Sequence, residues 1–475
     1  MTTLALLVFG SAFGYSQEKG ADTEAAAKKG WLATKEKLQA AGLVLDLAKL
    51  TPPAIPDDTN FAAHPLIAET YSKEARDDIS STRLGKIKLR NLPGFADRRT
   101  PLNRADGGLY DLANLVGDPN ASREAAAKKV LEGLGTWQSE LDSLVEAARR
   151  PACQFPIRQE ELINDVANSV PFVPVKHLFL RAICHLELQN RPQALADTKA
   201  LIQLSQHSRS NQYLIGTLIS NAITNFALEA IRDGIAQQRW DEVTLLLLES
   251  ELANLSFQDD FPDSVQFELA FSTSITEATI GGTFDPDEIF PKEIFDHDEA
   301  EREDLFAPRE LYKRLGASCT AVFETFFQGD PSKPVDLPTA LKKIETMAGS
   351  PEETEHPMDS KILLRSIVMG GAKALQQQAM LNNCRIGIAI ERYRLKHDKL
   401  PAKLADLSPR YLDKIPPDPM TGDPPRYIFR PDGRPMIYSL GWDGDDDGGS
   451  PATTRSISDV DGDWVWLTHS PADKQ

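Results

Sequence analysis

The chain has 475 residues, of which 41% are hydrophobic and 26% charged, a composition typical of globular proteins with a sizeable core. This length suffices for two or three domains. The formal net charge of −18 at pH 7 predicts a surface that repels nucleic acid and anionic lipid and attracts divalent cations. The composition therefore argues against nucleic acid as a partner.

Residues 1–16 are predicted to be a signal peptide or a short anchor. An apolar run at positions 4–9 is followed by small residues and then by polar Ser16, Gln17 and Glu18. A basic n-region is missing, so a buried apolar N-terminus and a mis-assigned start codon that truncates a membrane anchor are the alternatives. No uninterrupted apolar run of about 18 residues occurs, so we expect membrane contact only through such an N-terminal anchor. The expected location is periplasmic, secreted or membrane-anchored at the cell envelope.

Residues 17–121 are predicted to form an N-terminal helix and an extended segment. Trp31, Leu38 and Leu45 lie on one stripe of a helix over 25–50. The following residues, up to about Ala121, are rich in Pro, Gly and Asp and are expected to lie extended over another domain. Within them, segment 83–104 carries seven basic residues against one acid. That excess indicates either a solvated loop with internal charge pairing or a docking site for a partner or an anion.

Residues 122–348 are predicted to be a helical-hairpin region. Ser122 is a good N-cap for the helix that follows. Polar turns begin near positions 189 and 237, each between two apolar helical runs, as in paired helices. Ala182, Ala194 and Leu201 resemble one tetratricopeptide-like unit. Since only two units occur, at a spacing longer than that repeat, the sequence predicts an irregular array. Segment 285–304, with ten acidic and two basic residues, is predicted to be an acidic surface loop.

Signatures of catalysis are scarce. The chain has no nucleophile elbow, phosphate-binding glycine loop or dinucleotide fingerprint. His177 and His185 lack the companion residues of a known zinc pattern. The cysteines at positions 153, 184, 319 and 384 have no metal-binding spacing, and their even number permits disulfides in an exported protein. Because aspartate and glutamate are abundant, a carboxylate-based hydrolase is the alternative to a protein without enzymatic activity.

Residues 358–468 are predicted to be a small α+β module. A long amphipathic helix, with apolar positions at 375, 379, 386, 390 and 393, is followed by a short helix near Leu404 and Leu407. Strand-like runs then occupy 426–429, 436–440 and 464–467, with a turn at Asp432-Gly433. We therefore expect a helix packed against an antiparallel sheet.

The motifs of this module occur in a characteristic order: Leu400-Pro401, Tyr411-Leu412, Ile415-Pro416, Asp418-Pro419, Tyr427, Ile437-Tyr438-Ser439-Leu440-Gly441 and Asp443-Gly444. This order resembles the C-terminal domain of the major pseudopilin of type II secretion (general secretion pathway protein G). The resemblance implies a calcium site in the loop after the Tyr-Ser-Leu-Gly strand. The chain departs from the family in having Met420-Thr421-Gly422 where Trp-Gly is usual, and in lacking the prepilin signal. The whole layout also resembles that of bacterial envelope proteins that carry this module behind a helical region.

The loop after the second strand is strongly acidic, with seven aspartates and one arginine between positions 443 and 463. Aspartates at alternate positions resemble half of an EF-hand loop, but its twelfth position would be Thr454, so it is not an EF-hand. Either the loop is simply solvated, or a cation draws the carboxylates together. Together with the resemblance, this pattern predicts structural Ca²⁺ bound by the side chains of Asp443, Asp445, Asp447, Asp459 and Asp461 and a main-chain carbonyl near Leu440.

The sequence thus predicts a mainly α fold: an irregular helical-hairpin, tetratricopeptide-like region followed by a pseudopilin-like module with an antiparallel sheet. The predicted function is that of an exported envelope scaffold or protein-interaction protein, linked to secretion, with envelope or secretion proteins as partners. A smooth apolar groove on the helices would favour the interaction protein, whereas a cleft lined by carboxylates would favour the hydrolase.

Overall fold

The computed structural model describes residues 21–50, 52–72, 75, 78–87, 110–156, 172–210, 212–283, 307–348, 361–431, 433–451 and 462–467. Within these ranges the chain is mainly helical with a three-stranded antiparallel sheet, which confirms the predicted class. The predicted signal segment and acidic segment 285–304 lie outside the described residues.

The chain forms two compact units. The first comprises Met1–Pro53, Gln212–Leu214 and Gln258–Ala374; the second comprises Ala54–Asn211, Ile215–Phe257 and Leu375–Gln475. The helical hairpins and the sheet thus belong to the same unit, although the sequence divides them between two predicted segments.

The first unit is held together by α1 (Ala21–Ala40), which packs on α9 (Pro308–Thr325). On α1, the indole of Trp31 donates a 3.1 Å hydrogen bond to Glu277, and Lys35 pairs with the same carboxylate at 2.7 Å. The predicted helix over 25–50 is wrong in length. It ends at Ala40, because Gly42 adopts a φ of 97° that no helix continues, and a short turn resumes at Leu47–Leu50. The remaining helices with residues in this unit are α8 (Phe257–Ile280), α10 (Leu337–Ala348) and the start of α11 (Lys361–His397).

The second unit contains the predicted helical hairpins. Its helices are α2 (Arg123–Leu134), α3 (Gln138–Ala148), α4 (Phe172–Glu187), α5 (Arg191–Arg209), α6 (Leu214–Ala236, from residue 215 on) and α7 (Glu242–Leu252). Helices α4 and α5 pack on each other across a turn in which Gln189 has a φ of 58°. Gln238 has a similar φ of 55° in the turn between α6 and α7. Arg191 connects the two turns by donating a 2.6 Å hydrogen bond to the carbonyl of Arg239. The pairing of α4 with α5 is therefore confirmed, whereas the tetratricopeptide-like character of the array stays a prediction.

Buried ion pairs join the helices of this unit. Arg181 of α4, 1% exposed, donates to both oxygens of the fully buried Asp197 of α5 and to Asp142 of α3. Arg123 of α2 pairs with Asp233 of α6 at 2.8 Å. Ser122 caps α2 as predicted, since its hydroxyl accepts from the backbone N–H of Ala125.

The segment after Ala54 forms single helical turns in its described residues, which corrects the prediction of an extended segment. These turns are Phe61–Ala63, Pro65–Ala68, Glu69–Tyr71, Ile79–Ser81, Arg83–Lys86 and Leu112–Leu115. They pack on the hairpins: the ring of Phe61 stacks on His207 of α5 with centroids 4.4 Å apart. Of the basic segment 83–104, residues 83–87 are described; there Arg83 pairs with Glu69 at 2.6 Å. Internal charge pairing therefore accounts for Arg83.

Helix α11 is buried on nearly all sides between Leu375 and Arg392, so the prediction of a one-sided amphipathic helix is wrong there.

Strands β1 (Arg426–Phe429), β2 (Pro435–Ser439) and β3 (Trp464–Leu467) form the antiparallel sheet in the order β1-β2-β3. Ile437 is paired with Tyr427 on one side and with Trp466 on the other. All five residues of β2, the central strand, are buried, so both faces of this strand are covered.

In the described residues, Leu214–Ala236 is long and apolar enough to cross a membrane by length and composition. The sequence rule misses this helix because Ser220, Asn221 and Thr224 interrupt the apolar run. A buried core helix passes the same test, and 61% of its most apolar window is buried here.

Candidate metal centre

The acidic loop begins at the end of β2, where Asp418 fixes the backbone. Asp418 is 3% exposed, and its Oδ1 accepts hydrogen bonds from the hydroxyl of Ser439 at 2.8 Å and from the N–H of Met420 at 2.9 Å. Its Oδ2 accepts from the N–H of Leu440 at 3.2 Å. Asp418 of the Asp-Pro motif is therefore a brace, meaning that its hydrogen bonds fix the direction in which the chain leaves β2.

Two glycines bring the ends of the loop together. Gly441, at a φ of 71°, lies so close to Gly462 that a Cβ on Gly441 would come within 2.4 Å of the Gly462 carbonyl oxygen. The N–H of Gly462 donates to Oδ2 of Asp443 at 3.1 Å. Only glycine can be accommodated at position 441 at this distance. Gly441 therefore allows the chain before β3 to lie against the start of the loop.

Asp443, Asp445 and Asp447 form an exposed triplet. Each offers a carboxylate oxygen, and the three oxygens lie within 4.8 Å of one another. Asp443 accepts from the N–H of Asp445 at 3.3 Å. A hydrogen bond between the side chains of Asp443 and Asp445, and then the negative charge of Asp443, raise the pKa of Asp445. Like charges at this separation repel unless a proton or a cation lies between them. The three carboxylates thus lie close together, as their alternating spacing in the sequence predicted.

Asp446, which the alternation leaves out, has other partners. Its Oδ1 accepts from the hydroxyl of Tyr438 at 2.9 Å, and its Oδ2 pairs with Arg426 at 3.2 Å. The hydrogen bond from Tyr438 is the main reason that the pKa of Asp446 is lowered. Asp446 therefore ties the loop to the sheet and leaves the triplet free to face another ligand.

Asp463, at the end of this loop, is a buried carboxylate with an exposed fraction of 1%. Its Oδ2 accepts from the N–H of Gly449 at 2.7 Å, whereas its Oδ1 is buried without a hydrogen-bond partner among the described residues. Burial raises the pKa of Asp463, and the charges of Asp446, Asp447 and Asp443 raise it further. A buried anionic oxygen is costly unless a proton, a water or a cation satisfies it.

The remaining predicted ligands stand as follows. The N–H of Leu440 is held by Asp418 at the entry to the loop. Asp459 and Asp461 lie outside the described residues. Sequence reasoning missed Asp418 and Asp463, although the Asp-Pro motif and the third aspartate of the second cluster were available as signals.

Most of the histidines and cysteines considered above lie in helices, whereas Cys153 lies outside them and is half-buried. His177 is 1% exposed, and burial lowers the pKa of His185 to about 4. All four cysteines are free thiols, and Cys184, Cys319 and Cys384 are buried. In the described part of the chain, the aspartate triplet is the one group of histidine, cysteine or carboxylate side chains close enough to hold a metal ion.

Comparison with known proteins adds no relative: no protein-family model matches the chain, and neither does any curated protein or solved structure.

Proposed function

We propose that the loop between β2 and β3 is a structural Ca²⁺ site. The observation that carries this proposal is the convergence of the Asp443, Asp445 and Asp447 carboxylates beside a buried Asp463 whose Oδ1 lacks a partner among the described residues. Residues of the triplet would supply side-chain oxygens, and the ion would offset their mutual repulsion. Its role would be to hold the loop against the sheet, consistent with the pseudopilin-like order of motifs.

Calcium suits this loop better than magnesium. Ca²⁺ accepts six to eight oxygen ligands in irregular arrangements, whereas Mg²⁺ is smaller and requires a nearly octahedral shell. The triplet is exposed and consists of flexible side chains on a glycine-rich loop, which favours the less demanding ion. The Ca²⁺ preference is thus a consequence of ligand flexibility.

We further propose that the protein is a non-enzymatic scaffold or interaction protein of the cell envelope. Two buried carboxylates of the second unit support this class, because each is paired with an arginine: Asp197 with Arg181, and Asp233 with Arg123. A hydrolase would need two carboxylates facing a shared cleft, one of them poised as an acid.

Export follows from the signal-like residues 1–16, and sequencing the N-terminus of the protein from its native host tests it. An intact Met1 or Thr2 on cytoplasmic protein would contradict export.

The calcium proposal is tested by thermal unfolding of the full-length chain after treatment with EDTA. Binding to the folded state stabilises it by RT ln(1 + [L]/Kd), about 2.7 kcal/mol at a hundredfold excess over Kd. Ca²⁺ should therefore raise the melting temperature of the metal-free chain, and Mg²⁺ should raise it less.

The matched variants are Asp443→Asn, which should remove most of the calcium response, and Asp423→Asn, which should keep it. Asp423 is an exposed aspartate of the same module that lies before β1. Identical melting curves with Ca²⁺ and with EDTA, in a chain shown by circular dichroism to be folded, would rule the site out.

A further inference from the structure

Helix α7 has its acidic side chains neutralised from two sides. Cations of α5 and α11 pair with all three of its glutamates: Glu242 with Arg392, Glu249 with Arg385 and Glu251 with Lys199, at 2.9, 2.8 and 2.7 Å. These partners come from the helices that flank α7. Ion pairs therefore occupy its two edges, and its outward face carries no charge.

That outward face is mainly apolar, with Ser250 as its exposed polar residue. Val243, Leu246 and Leu247 are 68%, 51% and 42% exposed, and they follow the i, i+3, i+4 spacing of one helix face. Three of the eight large apolar side chains that are exposed in the described residues thus fall within five consecutive positions. We call these three side chains the α7 stripe. An apolar stripe of this spacing is what an amphipathic helix of a partner protein recognises.

A basic pocket lies at the N-terminal end of α7. It has a volume of about 230 Å³ and is lined by Glu242, Arg392, Leu395, Lys396, Arg410 and Tyr411. Three cations thus face one carboxylate, which is already paired with Arg392. The guanidinium carbons of Arg392 and Arg410 lie 5.7 and 5.9 Å from the centre of the Tyr411 ring. Leu395, 43% exposed, adds an apolar side chain to the lining of this pocket.

This local excess of positive charge stands out on a chain whose net charge is −18. Lys396 and Arg410 are exposed. Carboxylates are the groups that arginine binds best, and rim charges of this kind select a partner and speed its association.

We propose that the α7 stripe and the adjoining basic pocket form a docking surface for an acidic amphipathic helix of a partner protein. Apolar residues of that helix would pack on Val243, Leu246 and Leu247, and its carboxylates would meet Lys396 and Arg410. The surface is small, so the complex belongs to the weak, transient class. This surface is distinct from the calcium loop and does not depend on it.

A second copy of the chain fits less well. If two α7 helices paired antiparallel about a twofold axis, the basic pocket of each copy would face the C-terminal end of the other α7. The two carboxylates near that end, Glu249 and Glu251, are already paired with Arg385 and Lys199. Neither of these two carboxylates would then be available to the pocket, so charge complementarity favours an acidic partner over this pairing of two copies.

The test measures the fluorescence anisotropy of two labelled synthetic helices mixed with the full-length chain. Both helices carry leucines at i, i+3, i+4 and i+7; one has glutamate at the remaining positions and the other has lysine. The glutamate helix should bind, with an affinity that falls as salt is added, and the lysine helix should bind at least about tenfold more weakly.

Variants distinguish the two halves of the surface. Leu246→Ser should weaken binding of the glutamate helix about tenfold, whereas Leu32→Ser, at an equally exposed leucine of α1, should leave binding unchanged. The double variant Lys396→Glu and Arg410→Glu should reverse the preference toward the lysine helix. Because these side chains are exposed, all three variants should keep the melting temperature of the wild type.

Equal binding of the two helices, or binding of neither, overturns the proposal. Concentration-dependent dimerisation that Leu246→Ser abolishes would assign the α7 stripe to a second copy and would also overturn it. Light scattering of the wild-type chain and the Leu246→Ser variant separates this outcome from a heterologous complex.

Discussion

The indole of Trp466 in β3 packs directly on Gly387 of α11. A Cβ on Gly387 would come within 1.9 Å of the six-membered ring, closer than any real contact. Gly387 is buried in the middle of the long helix, where glycine is otherwise unfavourable by about 1 kcal/mol relative to alanine. The helix therefore gives up intrinsic stability so that the sheet can approach its backbone.

Gly387→Ala should consequently lower the free energy of unfolding by about 1–3 kcal/mol, because the added methyl group displaces Trp466. Urea unfolding followed by tryptophan fluorescence measures this change. The control is Gly30→Ala on α1, where nothing lies within 4 Å of the new Cβ and the helix should gain up to about 1 kcal/mol. Equal urea midpoints for the two variants would contradict the close packing of Trp466.

Asp418→Asn should destabilise the module by about 1–3 kcal/mol. In asparagine an NH2 group, which cannot accept, replaces one of the two oxygens, so the hydrogen bonds from the Ser439 hydroxyl to Oδ1 and from the Leu440 N–H to Oδ2 cannot both be kept. The measurement is the urea midpoint, and Asp423→Asn is again the exposed control. If both variants unfold at the wild-type midpoint, Asp418 is not the brace that we describe.

Asp197→Ala should cost about 3–5 kcal/mol, since it leaves Arg181 buried without its bidentate partner. The double variant Arg181→Met and Asp197→Leu should recover much of this loss, because buried ion pairs are often replaceable by apolar side chains of similar volume. Denaturant titration of the two variants provides the comparison. A double variant that is less stable than Asp197→Ala would show that the pair contributes more than mutual neutralisation.

His207 predicts a dependence of stability on pH. It is 6% exposed, its Nε2 lies 2.9 Å from the Ala148 carbonyl oxygen, and burial lowers the pKa of His207 to about 4. In the unfolded chain it takes up its proton near pH 6.5. Because the folded protein keeps His207 neutral, its contribution to the free energy of unfolding, about 3 kcal/mol, is complete above pH 6.5 and is lost as the pH falls toward 4. The urea midpoint should decline over this range in the wild type and decline less in His207→Gln; parallel declines would contradict this assignment.

Much of the fold could be predicted from local patterns. Apolar periodicity located the helices, and the polar turns near positions 189 and 237 predicted their pairing, because these signals depend on spacing within one element. The strands at 426–429 and 464–467 were predicted with their observed limits, since alternation and turn residues bracket them. The carboxylates of Asp443, Asp445 and Asp447 converge because the loop turns at Gly441 and Gly444, which have φ angles of 71° and 84°.

Only the tertiary structure decided the rest, because it depends on partners far apart in the sequence. The burial of α11 on nearly all sides results from the hairpins and the sheet packing around one helix within the same unit. Asp463 is buried beside the triplet because Gly441 and Gly462 bring the ends of the loop together. The α7 stripe is exposed because α5 and α11 occupy the two edges of its helix; its leucines alone would predict a core position. Periodicity specifies which residues share a face, whereas the packing of distant segments decides whether that face is covered.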